Sequence, residues 1–170
     1  KLFLNPSEAK ERTALPKTVD YKKDFKHLYL PPASPVIVEV PPMPFLALNG
    51  AGDPNGEAFA RQTEALYALS YAVKMSYRSG QVPEGYYDYK VFPLEGVWDL
   101  VDYAKPATDK NNLKYTIMIR QPDFLTEDLF ERFREQTKRK KRNPYLDQVR
   151  LIRMEDGLCC QMMHIGPYDE

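Results

Sequence analysis

The sequence predicts an α+β fold made of short strands and two amphipathic helices. Apolar runs of strand length outnumber helical segments along the chain, in the order ββα, βββ, α, ββ. The 15 prolines and 12 tyrosines among 170 residues are typical of a protein rich in strands and turns. The length fits one domain around one hydrophobic core.

The first part of the chain predicts an arm and then two strands. Residues 1–33 mix charges with prolines, so we expect a peripheral N-terminal arm followed by a domain over residues 34–170. The runs VIVEV, from Val36, and FLALNG, from Phe45, predict two strands separated by the proline-rich PPMP.

A first helix follows, for which Asp53 is the expected N-cap and Pro54 the first helical residue. It is expected to end near residues 78–80. Helical spacing places one set of side chains on its core face: Phe59, Leu66, Leu69 and Val73. A neighbouring face carries Tyr67, Tyr71 and Lys74.

The second part of the chain predicts three strands, a helix and a hairpin. The strands are YYDYKVFP, GVWDLVDY and LKYTIMIRQ, with a loop at residues 105–112 between the last two. Thr126 is the expected cap of the second helix, whose residues Leu129, Phe130 and Phe133 point inward. Asp156–Gly157 lies between the apolar runs VRLIRME and LCCQMMHIG, and this pattern predicts a β-hairpin.

The composition excludes some classes of partner and site. The 24 basic residues equal the 24 acidic ones, so no nucleic-acid partner is predicted. No apolar run is long enough for a membrane span. Cys159 and Cys160 are adjacent, which is poor geometry for a disulfide and favours a reducing, cytoplasmic location. No metal-ligand spacing or phosphate loop is present, so neither a metal nor another cofactor is predicted.

Two short motifs indicate an internal repeat. LNGAGD at residues 48–53 and HIGPYD at residues 164–169 both place a glycine three residues before an aspartate, directly after an apolar strand. In a true repeat, Asp169 caps the helix of a second module. Strand residues without that helix would stay uncovered, so we expect a missing C-terminal segment or a neighbouring chain to complete the second module.

The chain resembles the GyrI-like small-molecule-binding family, which is related to effector-binding domains of multidrug-responsive bacterial transcription regulators. The resemblance runs from DYKKDF through VEVPPMPFLALNGAGDPNGEAF, EALYALSYAVKMS, GYYDYKVFPLEGVW and MIRQPDF to VRLIRMEDGLCCQMMHIGPYDE. It implies duplicated βαββ modules that form one concave antiparallel sheet, with helices on one face and an aromatic-lined ligand cleft on the other. Some members bind bulky, often cationic drugs, and a subset hydrolyses cyclopropane-bearing DNA-alkylating natural products.

The chain departs from the family pattern in two respects. Asp99 follows Trp98 where close relatives often carry a second aromatic residue. The acidic residue usual at the cleft centre is expected beyond Glu170, so no catalytic residue is assigned. Glu95 and His164 are the weak candidates for that role.

The segment around Glu95 and Trp98 is the first candidate for a binding site. A carboxylate among Phe92, Leu94 and Trp98 is costly to desolvate unless a partner compensates it, so Glu95 is either a pocket acid or a satisfied strand-end residue. An indole beside a carboxylate would suit a lipophilic cation. The predicted ligand-binding residues are Trp98, Glu95, Tyr71, Tyr67, Tyr89, Phe92, Met118, Met162, His164 and Tyr168. The alternative for each aromatic residue is ordinary core packing.

The sequence therefore predicts a domain that binds small hydrophobic, aromatic or cationic molecules, for example in protection against drugs or toxins. One alternative is a hydrolase that opens cyclopropane-bearing electrophiles, and whether the chain is an enzyme stays open. Another is a gyrase-inhibitor-like module that interacts with a protein. The basic run at residues 138–142 either binds acidic partners or is a solvated helix end.

Overall fold

The computed structural model describes residues 18–80 and 82–166. The helices are α1 (Tyr21–Asp24), α2 (Lys26–Tyr29), α3 (Glu57–Lys74) and α4 (Glu127–Lys140). The strands are β1 (Val36–Val40), β2 (Met43–Ala51), β3 (Leu94–Leu100), β4 (Leu113–Arg120), β5 (Arg150–Met154) and β6 (Gly157–Gln161). Helices and antiparallel strands together confirm the predicted α+β class. None of the helices in this part of the chain is both long and apolar enough to cross a membrane.

A four-stranded antiparallel sheet, in the order β3-β4-β2-β5, forms the centre of the domain. The main core includes alternate residues of its strands, such as Leu46, Leu48, Ile117 and Ile119, together with residues of α3 and α4. Phe130 is buried in this core, and the Thr126 side chain caps α4 by accepting a hydrogen bond from the Leu129 amide. The alternation of β4 and the predicted cap of α4 are therefore confirmed.

We call the other side of this sheet, opposite α3 and α4, the front face. Met43, Phe45, Ala47 and Met118 form a second, smaller buried cluster there, and Leu28 of α2 packs against it. The described end of the expected N-terminal arm, residues 18–33, thus includes two short helices, and α2 lies on the sheet. Residues 1–17 lie outside the described residues.

The predicted hairpin between β5 and β6 does not form, and this prediction was wrong. β5 pairs with β2, whereas β6 pairs with β1 in a separate two-stranded ribbon. The two pairings follow one continuous register. Each step forward along β1 and β2 is a step back along β6 and β5, from Val36 opposite Gln161 to Ala47 opposite Arg150. β5 pairs with β2 and β6 pairs with β1 instead of with each other. The chain therefore crosses from the sheet to the ribbon at Asp156–Gly157 and does not reverse there.

The common register agrees with the predicted duplication. The symmetry that carries residue 48 onto 164 also carries Val40 onto Asp156 and Pro41 onto Gly157. Val40 lies opposite Gly157, and the next step of the same register places Pro41 opposite Asp156. A duplication of this kind would place its two-fold axis between these pairs, where the ribbon meets the sheet.

One face of the ribbon is exposed and, apart from Glu39, carries apolar side chains. Ile37 is 70% exposed and Leu158 is 76% exposed, and Cys160, opposite Ile37, is also exposed. Burying such side chains is worth about 1.5–3 kcal/mol each. The expectation that a further segment or chain covers this face stays a prediction.

Two local predictions also need correction. Helix α3 begins at Glu57 rather than Pro54, because the Asp53 carboxylate accepts hydrogen bonds from Asn55 and closes a turn before the helix. Residues 86–93 form no strand beyond a single bridge between Val19 and Tyr89. Tyr89 and Phe92 are both buried in the main core, so this segment is held by aromatic packing rather than by a strand ladder.

The strand pairing predicts which thiols can be joined. In a Cys159→Ser background, we expect Ile37→Cys to form a disulfide with Cys160, because residues 37 and 160 lie opposite each other. Arg153→Cys is the matched control, since a hairpin turning at residues 156–157 would place residue 153 opposite 160. Mass spectrometry of non-reduced peptides would identify the bond. A Cys160 crosslink to position 153 instead of 37 would contradict the ribbon.

Candidate functional site

Glu95 is a half-buried carboxyl on the front face. It lies opposite Met118 in the β3–β4 ladder. The Tyr29 hydroxyl at the end of α2 donates a hydrogen bond to Glu95 Oε1 over 3.3 Å. Burial raises the pKa of Glu95 from its usual 4.5 to about 7, although the Tyr29 hydrogen bond and the Arg120 charge act to lower it. Glu95 can therefore exchange a proton near neutral pH.

Arg120 lies on the same face of β4 as Met118, and its positive charge acts on the Glu95 carboxyl. Its guanidinium lies 4.3 Å from the ring centre of Phe25 and 4.7 Å from that of Phe92, so two aromatic rings flank it. Its Nε and Nη1 atoms are buried and make no hydrogen bond among the described residues, although the guanidinium also interacts with the Tyr29 hydroxyl and acts to lower the pKa of that group. Buried donors without acceptors are unfavourable by about 1–3 kcal/mol. A bound molecule with an oxygen acceptor would satisfy them.

Tyr29 joins the carboxyl to the aromatic residues. Its ring lies 5.4 Å from that of Tyr21, edge-on, and 5.8 Å from that of Phe92. Burial, and then the Glu95 carboxylate, raise the pKa of Tyr29 above its usual range, so it stays a neutral donor. We call Phe25, Tyr29, Phe92, Glu95 and Arg120 the Glu95 cluster.

Helices α1 and α2 hold this cluster on the sheet. The Asp20 side chain accepts a hydrogen bond from the Lys22 amide at the start of α1, and the Lys90 ammonium lies 2.7 Å from the same carboxylate. The Lys90 ammonium lowers the pKa of Asp20, whereas burial opposes this effect. Gln161 of β6 donates a hydrogen bond to the Leu28 carbonyl over 2.7 Å, so the ribbon also contacts α2.

Trp98 lies on the opposite side of the sheet from Glu95. It sits across from Tyr115 in the ladder, and its ring centre is 5.0 Å from that of Tyr115 and 5.9 Å from that of Phe59 on α3. Residues three apart on a strand point to opposite faces, so the predicted wall of indole and carboxylate does not exist. Trp98 is 43% exposed and borders the helix side.

The other predicted ligand residues are divided between several places. Phe92 belongs to the Glu95 cluster, and Met118 lies beside it. Tyr67 and Tyr71 lie on α3, behind the sheet, and Tyr89 is buried in the main core. Met162 and His164 are exposed beyond the end of β6, and Tyr168 lies outside the described residues.

Sequence reasoning missed Phe25, Tyr29 and Arg120. The alternation of β4 already placed Arg120 on the face of Met118, so that residue could have been found. The segment with Phe25 and Tyr29 has no clear periodicity, and only its tertiary packing shows its role. No group of three or more histidine, cysteine, aspartate or glutamate residues within 18–80 and 82–166 is arranged to hold a metal.

A family model described as the GyrI-like small molecule binding domain matches residues 33–170. The chain belongs to this GyrI-like family. It has an α+β fold and is a small-molecule-binding domain at the level of the family. A search of curated proteins gave no match.

The GyrI-like chain is also similar to solved structures from Listeria innocua. One crystal structure of a hydrolase is 38% identical, with a TM-score of 0.80, and the match covers 90% of this chain and 77% of the other. A second structure, also described as a hydrolase, is 39% identical, with a TM-score of 0.83 and coverage of 91% and 75%. A third, an uncharacterized conserved protein, is 39% identical, with a TM-score of 0.82 and coverage of 89% and 74%.

The pKa of Glu95 predicts a pH-dependent stability. The folded protein binds a proton that the unfolded chain releases between pH 4.5 and about 7, so the free energy of unfolding should fall as pH rises through this window. We expect Glu95→Gln to remove this loss, which is on the order of 1–3 kcal/mol, because the amide stays neutral. Urea unfolding at pH 5 and pH 8 measures it.

The matched control for this prediction is Glu39→Gln, which changes an exposed carboxylate on β1. That variant should lose stability with pH as the wild type does. An unchanged pH dependence in Glu95→Gln would show that Glu95 does not titrate in this window.

Proposed function

We propose that this GyrI-like chain binds small hydrophobic or aromatic molecules on the front face, beside the Glu95 cluster. The observation that carries the proposal is the combination of aromatic rings beside Arg120 with two buried guanidinium donors that have no acceptor in the described part of the chain. Ligand sites are mostly apolar, with a few polar groups that fix orientation, and this cluster has that composition.

The sequence predicted hydrophobic, aromatic or cationic ligands, and the position of Arg120 indicates which of these classes can bind at the cluster. Its guanidinium already lies against the rings of Phe25 and Phe92, whose centres are 6.2 Å apart, where a ligand cation would otherwise bind. A second cation would be repelled at this distance, because the local dielectric constant is low. The cluster therefore favours uncharged aromatic molecules that carry an oxygen acceptor.

Access to the cluster is expected along β3. Val97 follows Glu95 on the same strand face, opposite Thr116, and is 53% exposed. The front face is therefore covered by α2 at one end and open at the other. A ligand that enters past Val97 would meet the Glu95 carboxyl and the Arg120 donors at the covered end.

Two probes with similar aromatic groups test this proposal. Triphenylphosphine oxide is neutral and has a strong oxygen acceptor, whereas tetraphenylphosphonium is a cation without one. We expect calorimetry to show tighter binding of the oxide, and Arg120→Met to weaken it about tenfold, the value of one charge-assisted hydrogen bond. Amide chemical shifts should change at β3 and β4.

Arg150→Met is the matched control, because Arg150 is also a cationic residue at the end of a sheet strand but donates to Asn49, outside the cluster. It should leave the affinity for the oxide unchanged. Binding of neither probe, or equal effects of the two substitutions, would overturn the assignment of the site.

We also propose a second candidate function, hydrolysis of cyclopropane-bearing electrophiles. Its support is Glu95, whose pKa of about 7 suits a general base, together with the similarity to structures described as hydrolases. In this step Glu95 takes a proton from water as the oxygen bonds to a ring carbon. The ring C–C bond breaks, its electron pair enters the attached carbonyl system, and that system then takes a proton from solvent.

A spirocyclopropyl dienone would serve as the test compound for this reaction. We expect its absorbance to change on incubation with the protein, and Glu95→Gln to lower the rate about 100-fold or more, since the amide cannot accept the proton. The wild-type rate should rise with pH through about 7. A compound that survives for hours, or a Glu95→Gln variant as active as Glu39→Gln, would exclude hydrolysis at this site.

A further inference from the structure

A groove between α3 and α4 lies behind the sheet, on the side opposite the Glu95 cluster. It has a volume of about 450 Å³ and ends at the 3₁₀ turn Met75–Arg78. Ala68 and Ala72 line it from α3, and their small side chains leave the space open. Met75 adds a larger apolar surface, and Phe133 of α4 lies buried beneath the groove. The groove therefore has an apolar part, beside the polar side chains of Ser76, Gln136 and Thr137.

Three basic side chains line the same groove: Arg78, Lys140 and Lys141. Within the described residues, no ion pair engages Arg78 or Lys140. Lys141 lies 3.6 Å from Glu64 in a pair that is half exposed on both sides, so this contact is weak. The Arg78 guanidinium contacts only the neighbouring Tyr77, through a hydrogen bond of 2.9 Å and the face of its ring.

Stabilisation of the helix dipole does not explain this arrangement. Basic residues in the last turn of α4, such as Lys138 and Lys140, complement the helix C-terminus. Lys138 is also neutralised by Glu135 and Asp147. Arg78, however, comes from a different element and converges on the same groove.

We propose that this groove is the docking site for an acidic, amphipathic segment of a partner protein. Acidic side chains would pair with Arg78 and Lys140, and apolar side chains between them would cover Ala72 and Met75. A nucleic acid would leave this apolar part without matching contacts. Tyr71, which is 54% exposed, lines the groove and supplies an aromatic anchor of the kind that dominates interfaces.

Fluorescence anisotropy with a synthetic peptide tests the proposal on the full chain. The peptide carries glutamate and leucine at helical spacing, and a matched peptide has glutamine in place of every glutamate. We expect the acidic peptide to bind at physiological ionic strength and the glutamine peptide to bind at least about tenfold more weakly. A short DNA duplex is the third probe and should bind more weakly than the acidic peptide.

Charge reversal at neighbouring positions locates the binding surface. Lys140→Glu and Arg78→Glu should each weaken peptide binding about tenfold. Arg139→Glu is the matched control: it lies in the same exposed helical turn but does not line the groove, so it should change the affinity less than about twofold. Circular dichroism would confirm that each variant is folded.

Several outcomes would overturn the proposal. Equal effects of Lys140→Glu and Arg139→Glu would mean nonspecific attraction, and tighter binding of the duplex would mean a nucleic-acid surface. Binding of neither peptide would exclude the groove as a docking site. These outcomes are independent of the small-molecule site, because Arg120→Met should leave peptide binding unchanged.

Discussion

The desolvation of Glu95 is the constraint on which the front face depends. Strand alternation in β3 fixes the side of this carboxyl, because its neighbours Leu94 and Gly96 lie opposite core residues of β4. A charge held there needs compensation, which the chain supplies with the Tyr29 hydroxyl and the Arg120 guanidinium. Each of these groups in turn requires the aromatic residues of α1, α2 and the loop before β3. The packing of the N-terminal helices on the sheet therefore affects the ionisation of Glu95, because Tyr29 of α2 donates the hydrogen bond to it.

The crossing between the sheet and the ribbon brings a charge from the second half of the chain to bear on this carboxyl. Asp156 lies at the crossing between sheet and ribbon, and its charge adds to the rise in the pKa of Glu95. The continuous register of β1 and β2 with β5 and β6 fixes that position. The long-range pairing therefore helps to set the electrostatics of the site.

The sequence predicted what local patterns determine. The alternation of β4 and the Thr126 cap of α4 were found because each depends on nearby residues and on burial of one face. The predicted Asp156–Gly157 hairpin was wrong because β5 and β6 each pair with a strand that is distant in the sequence. The predicted start of α3 at Pro54 was wrong because the Asp53 carboxylate closes a turn before the helix. The separation of Trp98 from Glu95 followed from strand alternation and could have been predicted. The role of Tyr29 could not, because its contact with Glu95 spans 66 residues of chain.

Charge totals gave an incomplete description of possible partners. Equal numbers of acidic and basic residues argue against a uniformly charged surface, but electrostatic attraction at physiological salt acts over only about 8 Å. Over that distance, local arrangement decides what a surface attracts. Lys74 and Asp88 pair with each other, as do Lys90 and Asp20, so these charges contribute little to the local balance. Arg78 and Lys140 have no such partner in the described ranges, so a chain of zero net charge still presents a basic groove behind its sheet.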